Sequence, residues 1–260
     1  MLLAAALLAS GCRNAEPERR ADAKPDLVRG RALLVATRDS LPQHVGNGLR
    51  CTSCHLGDGR QANAMPWIGV TVRYPQYRSR AGAEITIEDR INECFERSMN
   101  GSKLAESSRD MLDMVAYLAF LSRGAPPGGE VHGEGLPVMT PLVADKRRGA
   151  AVFASRCVSC HGVHGDGSAR APALWGPQSY NIGAGMARLR TAASFIHANM
   201  PLGNASLTEQ QAFDVAAYVN AQPRPDYAPK AKDWPHGDAP PDVPYRTDAS
   251  VRAESGTGAH

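Results

Sequence analysis

Two pentapeptides carry the strongest chemical signal in this 260-residue chain: Cys51-Thr-Ser-Cys54-His55 and Cys157-Val-Ser-Cys160-His161. Two thiols separated by two residues share one helical turn, and a histidine follows directly. That grouping attaches a c-type haem, with thioethers from the cysteines to the vinyl groups and the histidine on the iron. One copy alone would also suit zinc or a dithiol redox centre. Two copies, both ending in His, point to two covalently bound haem c groups, with His55 and His161 as proximal ligands.

The spacing recurs beyond the motifs. Cys51 to Cys157, His55 to His161 and Pro66 to Pro172 each span 106 positions, so the chain holds an internal repeat. Pro66 and Pro172 resemble the proline of small c-type cytochromes whose carbonyl holds the second ring nitrogen of the proximal histidine. The same offset carries Cys94 onto Met200, each 39 residues after its histidine. Met200 stands in Asn199-Met-Pro-Leu-Gly203, a loop type that presents methionine to iron, and is the expected distal ligand of the second haem. Its rival is Met186, in a glycine-rich stretch, since methionine is often core filler. His197 reads as a solvent-facing neighbour.

The first repeat has a cysteine at that place. In Thr86-Ile-Glu-Asp-Arg-Ile-Asn-Glu-Cys-Phe-Glu-Arg-Ser-Met-Asn-Gly101, Ile87, Ile91, Phe95 and Met99 form an apolar stripe at helical spacing. Arg90, Cys94 and Ser98 form the adjacent row, so one helix face offers a cation, a sulfur and a hydroxyl. Cys94 is the expected distal ligand of the first haem. An inert buried cysteine is the plainer alternative and would leave Met99 or Met65 to bind. A ferric iron and an arginine both favour thiolate over thiol. Thiolate ligation lowers the haem potential relative to His/Met, so electrons would run from the first haem to the second. Arg73, Arg78 and Arg80 lie just upstream, and guanidinium forks bind oxyanions. For Arg73 and Arg78 a solvated charge or a propionate partner is the simpler reading.

These groups need elements to hold them. Helices are expected over residues 27–37 and 146–154 before each haem motif, and over 111–121 and 212–220 at the end of each repeat. Ser107–Asp110 and Thr208–Gln211 fit capping boxes for the closing helices, Thr86 and Asp89 fit one for the Cys94 helix, and no segment shows a convincing strand pattern. The fold class is therefore all-α: two tandem cytochrome c-type haem domains, at 26–123 and 144–225, joined by a Pro/Gly-rich linker at 124–143. Residues 226–260, rich in proline, are expected to be a loosely held or disordered tail. Residues 1–25 read as a leader and tether. The run Met1–Gly11 is apolar and ends in small residues before Cys12, which resembles a lipoprotein signal and implies export to the periplasm with a possible lipid on Cys12. Composition is ordinary for a soluble protein, with 43% hydrophobic and 6% aromatic residues, and a net charge of +3 is too mild to argue for nucleic acid.

Arg73-Tyr-Pro-Gln-Tyr, Arg80-Ala-Gly and Ile87 through Gly101, with Pro177–Tyr180 and Met200-Pro-Leu-Gly203, resemble the thiosulfate dehydrogenase family of di-haem cytochromes c, over residues 26–223. The resemblance implies oxidation of two thiosulfates to tetrathionate at a His/Cys-ligated haem, with Cys94 taking part in joining the two sulfurs. It further implies that Arg80, Arg90 and Ser98 hold substrate, and that electrons leave through the second haem to a soluble c-type acceptor. The reverse reaction, tetrathionate reduction, uses the same chemistry. Some members place a lysine beside the second methionine ligand, where this chain has Asn199. The first domain is also similar to the cysteine-ligated cytochrome subunit of the Sox system, which needs a carrier partner. A plain electron carrier is the third reading, and the Arg90–Cys94–Ser98 row counts against it.

Overall fold

A computed structural model describes residues 24–128 and 130–256. Cys12 and the leader through residue 23 lie outside the described residues, as do Gly129 and residues 257–260.

Ten helical segments follow one another along the described chain: α1 (Leu27–Val35), α2 (Thr37–Ser40), α3 (Leu56–Gly59), α4 (Ile87–Glu93), α5 (Arg109–Leu121), α6 (Lys146–Arg156), α7 (Val158–His161), α8 (Leu189–Asn199), α9 (Glu209–Asn220) and α10 (Asp248–Gly256). The all-α expectation holds apart from one small antiparallel hairpin, β1 (Gln76–Arg78) and β2 (Ala83–Ile85), pairing Tyr77 with Glu84. Each strand is only three residues long, too short for period-2 alternation to register in the sequence. None of the described helices is long and apolar enough to cross a membrane.

Each repeat is built on one helical joint, made twice with the same parts. Asp26 caps α1, accepting from the N–H groups of Val28 and Arg29, and Asp145 caps α6 from those of Arg147 and Arg148. The α1 backbone then crosses α5 at Gly30, and α6 crosses α9 at Gly149. A Cβ on Gly30 would sit 2.0 Å from the Asp113 carbonyl oxygen, and one on Gly149 would sit 2.0 Å from that of Asp214. Only hydrogen fits at either crossing. Asp113, 0% exposed, accepts from the Asp26 N–H at 2.8 Å and from Arg29 Nη1 at 2.7 Å. Asp214 accepts from the Asp145 N–H at 2.7 Å and from Arg148 Nε at 2.6 Å. The joint's offsets, 149 − 30 = 119 and 214 − 113 = 101, differ from 106. That mismatch kept the joint out of a single-offset reading.

The closing helices are capped nearly as expected. Thr208 and Gln211 cap α9 reciprocally, while α5 starts on Ser108, whose hydroxyl accepts from the Met111 N–H, and not on Ser107. The expected single helix over 27–37 breaks at Ala36, and α6 runs two residues past its expected end.

The halves are laced together. Tyr180, Ala184 and Ala187 of the second half belong to the first half's core, with Leu33, Phe95, Met99 and Met114. Asn47 Nδ2 donates to the carbonyls of both Ser98 and Ser179, each at 2.9 Å. Asn199 accepts from Gln61 Nε2 at 2.7 Å and donates to the Asn63 carbonyl at 2.9 Å. The connecting segment joins in, with Asn63 N–H donating to the Gly133 carbonyl at 2.7 Å and Met65 N–H to that of Gly135 at 2.8 Å.

The expectation of a loose tail after 225 is corrected for its described part. Trp234 is 2% exposed, Asp233 is buried, and the described part ends in α10. The segment is pinned to both halves, by Asp233 on Arg97 and by Asp242 on the Arg190 N–H, so its prolines are not signs of disorder here.

Candidate active site

The first haem motif opens as a 3-10 turn at Cys51–Ser53, with Thr37 Oγ1 3.1 Å from Cys51 Sγ. His55 stands next, its ring tilted against Trp67 at a centroid distance of 5.7 Å. Its Nδ1 lies 2.6 Å from the Met65 carbonyl oxygen. The expected partner, Pro66, is displaced by one residue because Met65 adopts a positive φ of 53°, which turns its own carbonyl to the ring. Pro172 keeps its expected role, 2.9 Å from His161 Nδ1. Met65 thus gives its carbonyl to the proximal ring, and its side chain packs with Leu56, Ala64 and Phe195. Burial pushes His55 down to about 4, against the raising effect of the Met65 carbonyl and with help from Arg90, so the ring is neutral. Nε2 is left to bind a metal. Burial also pushes the Cys51 and Cys54 thiols up to about 12, with the nearby Cys94 sulfur adding to the rise.

Cys51 and Cys94 pack against the same core, so the Cys94 sulfur lies near the motif that attaches the haem. Thr86 and Asp89 cap α4 reciprocally, as expected, but the helix does not continue in α geometry to Gly101. Residues Cys94–Ser98 widen into a π-helical turn, in which the Met99 N–H donates to the Cys94 carbonyl at 3.0 Å. Such widenings re-aim side chains and gather at functional sites. Phe95 and Met99 lie on the buried stripe. Arg90, one turn before, donates through Nη1 to Cys94 Sγ at 3.3 Å and to Glu93 Oε2 at 3.2 Å. The Cys94 sulfur is the chief cause that raises the Arg90 guanidinium, with burial opposing it.

Arg80 follows the first strand of the hairpin. It donates to the Gly183 carbonyl at 3.0 Å and lies 4.7 Å from the Trp234 ring. Burial, Arg97 and Arg188 push it down to about 10. Ser98 ends the π-helical turn, half-buried, its carbonyl fixed by Asn47. Among the described hydrogen bonds none joins its hydroxyl to Arg90 or Cys94. Arg73 sits 3.0 Å from Glu134 of the connecting segment, and Arg78 donates to Gln76.

Three residues of this neighbourhood were not singled out by sequence. Arg97 is the buried cation of the π-helical turn, bound bidentately to Asp233 at 2.7 and 2.8 Å and stacked 4.5 Å from the Tyr227 ring. Asp233 and Trp234 come from the segment expected to be loose. Their signal was a lone Asp-Trp pair in a proline-rich run, which has no period to read.

The second site is more open. Phe153, Trp175 and Tyr218 pack on one another behind Cys157, burial pushes Cys157 up to about 11, and Cys160 is exposed. Met200 caps the C-terminus of α8 and packs with Leu56, Ala64 and Phe195 between the halves; Met186 borders the same cluster, with its carbonyl held by Asn220 at 3.0 Å.

Both sites fit a haem c. Each offers a thiol pair, a histidine whose Nδ1 is occupied by a carbonyl, and an apolar wall. His55 and Cys94 would hold the first group; His161 would hold the second.

Both halves match known proteins. Residues 43–126 match the SoxA/TsdA cytochrome c domain and residues 147–223 match the cytochrome c domain. A thiosulfate dehydrogenase of Allochromatium vinosum is 47% identical over 211 residues, covering 76% of this chain and 78% of that protein. One of Psychrobacter arcticus is 47% identical, covering 83% of this chain and 68% of that protein. The solved thiosulfate dehydrogenase TsdBA of Marichromatium purpuratum superposes with a TM-score of 0.74 at 39% identity over 84% of this chain, which spans 51% of that longer one. Two tandem cytochrome c domains of this kind each carry one covalently bound haem c. With that identity over more than two thirds of its relatives, the chain belongs to the thiosulfate dehydrogenase family.

Proposed function

We propose that the chain oxidises two thiosulfates to one tetrathionate at Cys94 and passes the two electrons outward through its second domain to a small c-type acceptor. The observation that carries the reading is the 3.3 Å contact of Arg90 Nη1 with Cys94 Sγ, beside the core against which Cys51 also packs. When bound, the haems would supply one-electron acceptors; His55 and Cys94 would hold the first, and His161 with Met200 the second.

The chain's own residues do the rest. Arg80 and Arg90 hold sulfonate oxygens, which guanidinium forks grip in pairs, and Ser98 adds a hydroxyl donor. Cys94, as a thiolate, joins its sulfur to the terminal sulfur of one thiosulfate, and the two electrons given up go to the one-electron acceptors. The second thiosulfate attacks the sulfur carried by Cys94, forming the central bond of tetrathionate and returning the Cys94 thiolate. Run backwards, the same steps reduce tetrathionate.

Attachment of haem c takes place outside the cytoplasm, so the reading includes a periplasmic enzyme, with Cys12 as a lipid-bearing anchor. The test is ferricyanide reduction by the purified holoprotein with thiosulfate as sole donor. One tetrathionate per two ferricyanides supports the reading. No turnover until a carrier protein is added would move the chain to the Sox-type sulfur transfer that shares its first-domain model. No thiosulfate-dependent reduction under any condition would leave a plain electron carrier.

A further inference from the structure

The second half of the chain also brings a cation into this neighbourhood. The 3-10 turn Gly185–Ala187 is held into the first half by Ala184 and Ala187, which are buried in the core that Cys94 borders. The next residue, Arg188, starts α8 with extended backbone (φ −84°, ψ 132°), so its side chain leaves the turn before the helix winds away. Arg188 is close enough to Arg78, Arg80 and Arg90 for each charge to act on the other. It is half-buried, and its Nε is buried without a hydrogen-bond partner.

The neighbouring charges do not balance. Arg90 is engaged by Glu93, and Arg97 is consumed by Asp233. Arg80 keeps a carbonyl and a 4.0 Å approach to Asp233. Asp242 favours the charge on Arg188, but it already accepts from the Arg190 N–H at 2.9 Å. Burial and the like charges of Arg78 and Arg90 push Arg188 down. A guanidinium placed among others, with one buried N–H unmatched, is costly unless an anion completes it.

We infer that Arg188 is a further substrate-binding residue, contributed by the electron-transfer domain, that holds the second, attacking thiosulfate. The inference rests on the reading above. Arg90 touches Cys94, so the thiosulfate joined to Cys94 lies with Arg90. Arg188 arrives from the opposite half, beside the turn packed into the core that Cys94 borders, so in this reading its fork takes the second sulfonate and leaves the first to Arg90. Tetrathionate, with a sulfonate at each end, spans the two. Substrate therefore lies between the domains and is recognised by both.

The test is equilibrium dialysis of tetrathionate against holoprotein, run beside thiosulfate turnover, for wild type, R188Q, R188K and R190Q. Arg190 is the exposed neighbour and controls for net charge. Losing a charge-assisted hydrogen bond predicts a rise in the tetrathionate Kd of roughly 10- to 100-fold in R188Q. R188K falls between, and R190Q stays at wild type. In turnover, R188Q still forms the Cys94–thiosulfate adduct, detected by mass, but releases tetrathionate slowly. Equal Kd values for R188Q and wild type would overturn the inference. So would equal losses in R188Q and R190Q, or an unchanged Kd with a shifted first-haem potential, which would assign Arg188 to a propionate. A wild type that binds tetrathionate but does not turn over would sink the enzymatic reading while leaving the Arg188 comparison decisive.

Discussion

Replacing Asp233 with Asn removes the only carboxylate bonded to Arg97 among the described residues, and keeps the shape. The Arg97 side chain is 10% exposed and that of Asp233 6%, and two hydrogen bonds of 2.7 and 2.8 Å join them. Tyr245 donates a third to the same carboxylate at 2.6 Å. Breaking a buried pair by neutralising one partner strands the other, at a cost of about 3–5 kcal/mol. For a domain pair of this size each kcal/mol lowers Tm by roughly 2–4 °C, so a fall of roughly 6–20 °C is expected. Circular dichroism melts of holoprotein read the fall directly. The loss extends to function, because Asp233 and Trp234 also position Arg80, so the KM for thiosulfate should rise in the same variant at 25 °C. Exchanging both partners together, R97M with D233L, should recover much of the loss, since well-packed apolar replacements of a buried ion pair are often neutral. A Tm drop below about 2 °C in the single variant, the scale of an exposed pair, would refute the view that this segment buttresses the site.

Changing Cys94 to Ser should abolish tetrathionate formation while the haem content, read from the pyridine haemochrome spectrum, stays at two per chain; retained turnover would exclude Cys94 from the chemistry. G30A and G149A should each cost about 1–3 kcal/mol, because a backbone carbonyl blocks the new methyl and outweighs the helical preference for alanine; chemical denaturation reads the difference, and a stabilised variant would contradict the crossing geometry. Burial raises the Asp214 carboxyl, but hydrogen bonds from Arg148, the Asp145 N–H and Gln210 outweigh it and hold it below the ordinary carboxylate range. A carboxylate lowered in the folded state stabilises above its unfolded pKa, about 4, and that stabilisation is lost as pH falls through the folded value. The Tm of wild type should therefore drop more steeply than that of D214N between about pH 4 and 2, and parallel curves would show that Asp214 contributes nothing to acid sensitivity.

The chemistry was legible in the sequence wherever it depends on local spacing. Cys51, Cys54 and His55, and the Arg90–Cys94 step, lie within one or two turns, so helical geometry alone brings them together. What escaped was non-local. Arg97 carries no signal until Asp233, 136 residues away, closes on it. Met65 displaced Pro66 through a single positive φ, which no periodicity records. The π-helical turn at Cys94–Ser98 was hidden because an α-helical stripe and a π-widened one differ by a fraction of a residue per turn. The hairpin was too short to show a period. The tail was misjudged because proline counts as a breaker of helices, and here it accompanies chain that is irregular yet packed.

The lacing between the halves separates connectivity from cohesion. Val138 is 102% exposed and Val143 89%, so these two positions are the ones a protease would meet first, while Met139 and Leu142 between them pack on α8 and α9. Yet Asn47, Asn181 and Asn199 bind carbonyls or amides across the division, and Tyr180 sits in the opposite core. A single cut there would leave two fragments that stay seated on each other, with the core beside Cys94 still built from both sides of the cut. The covalent link serves to deliver the second half to the first at high effective concentration; once delivered, the polar seams and the shared core are what keep it in place.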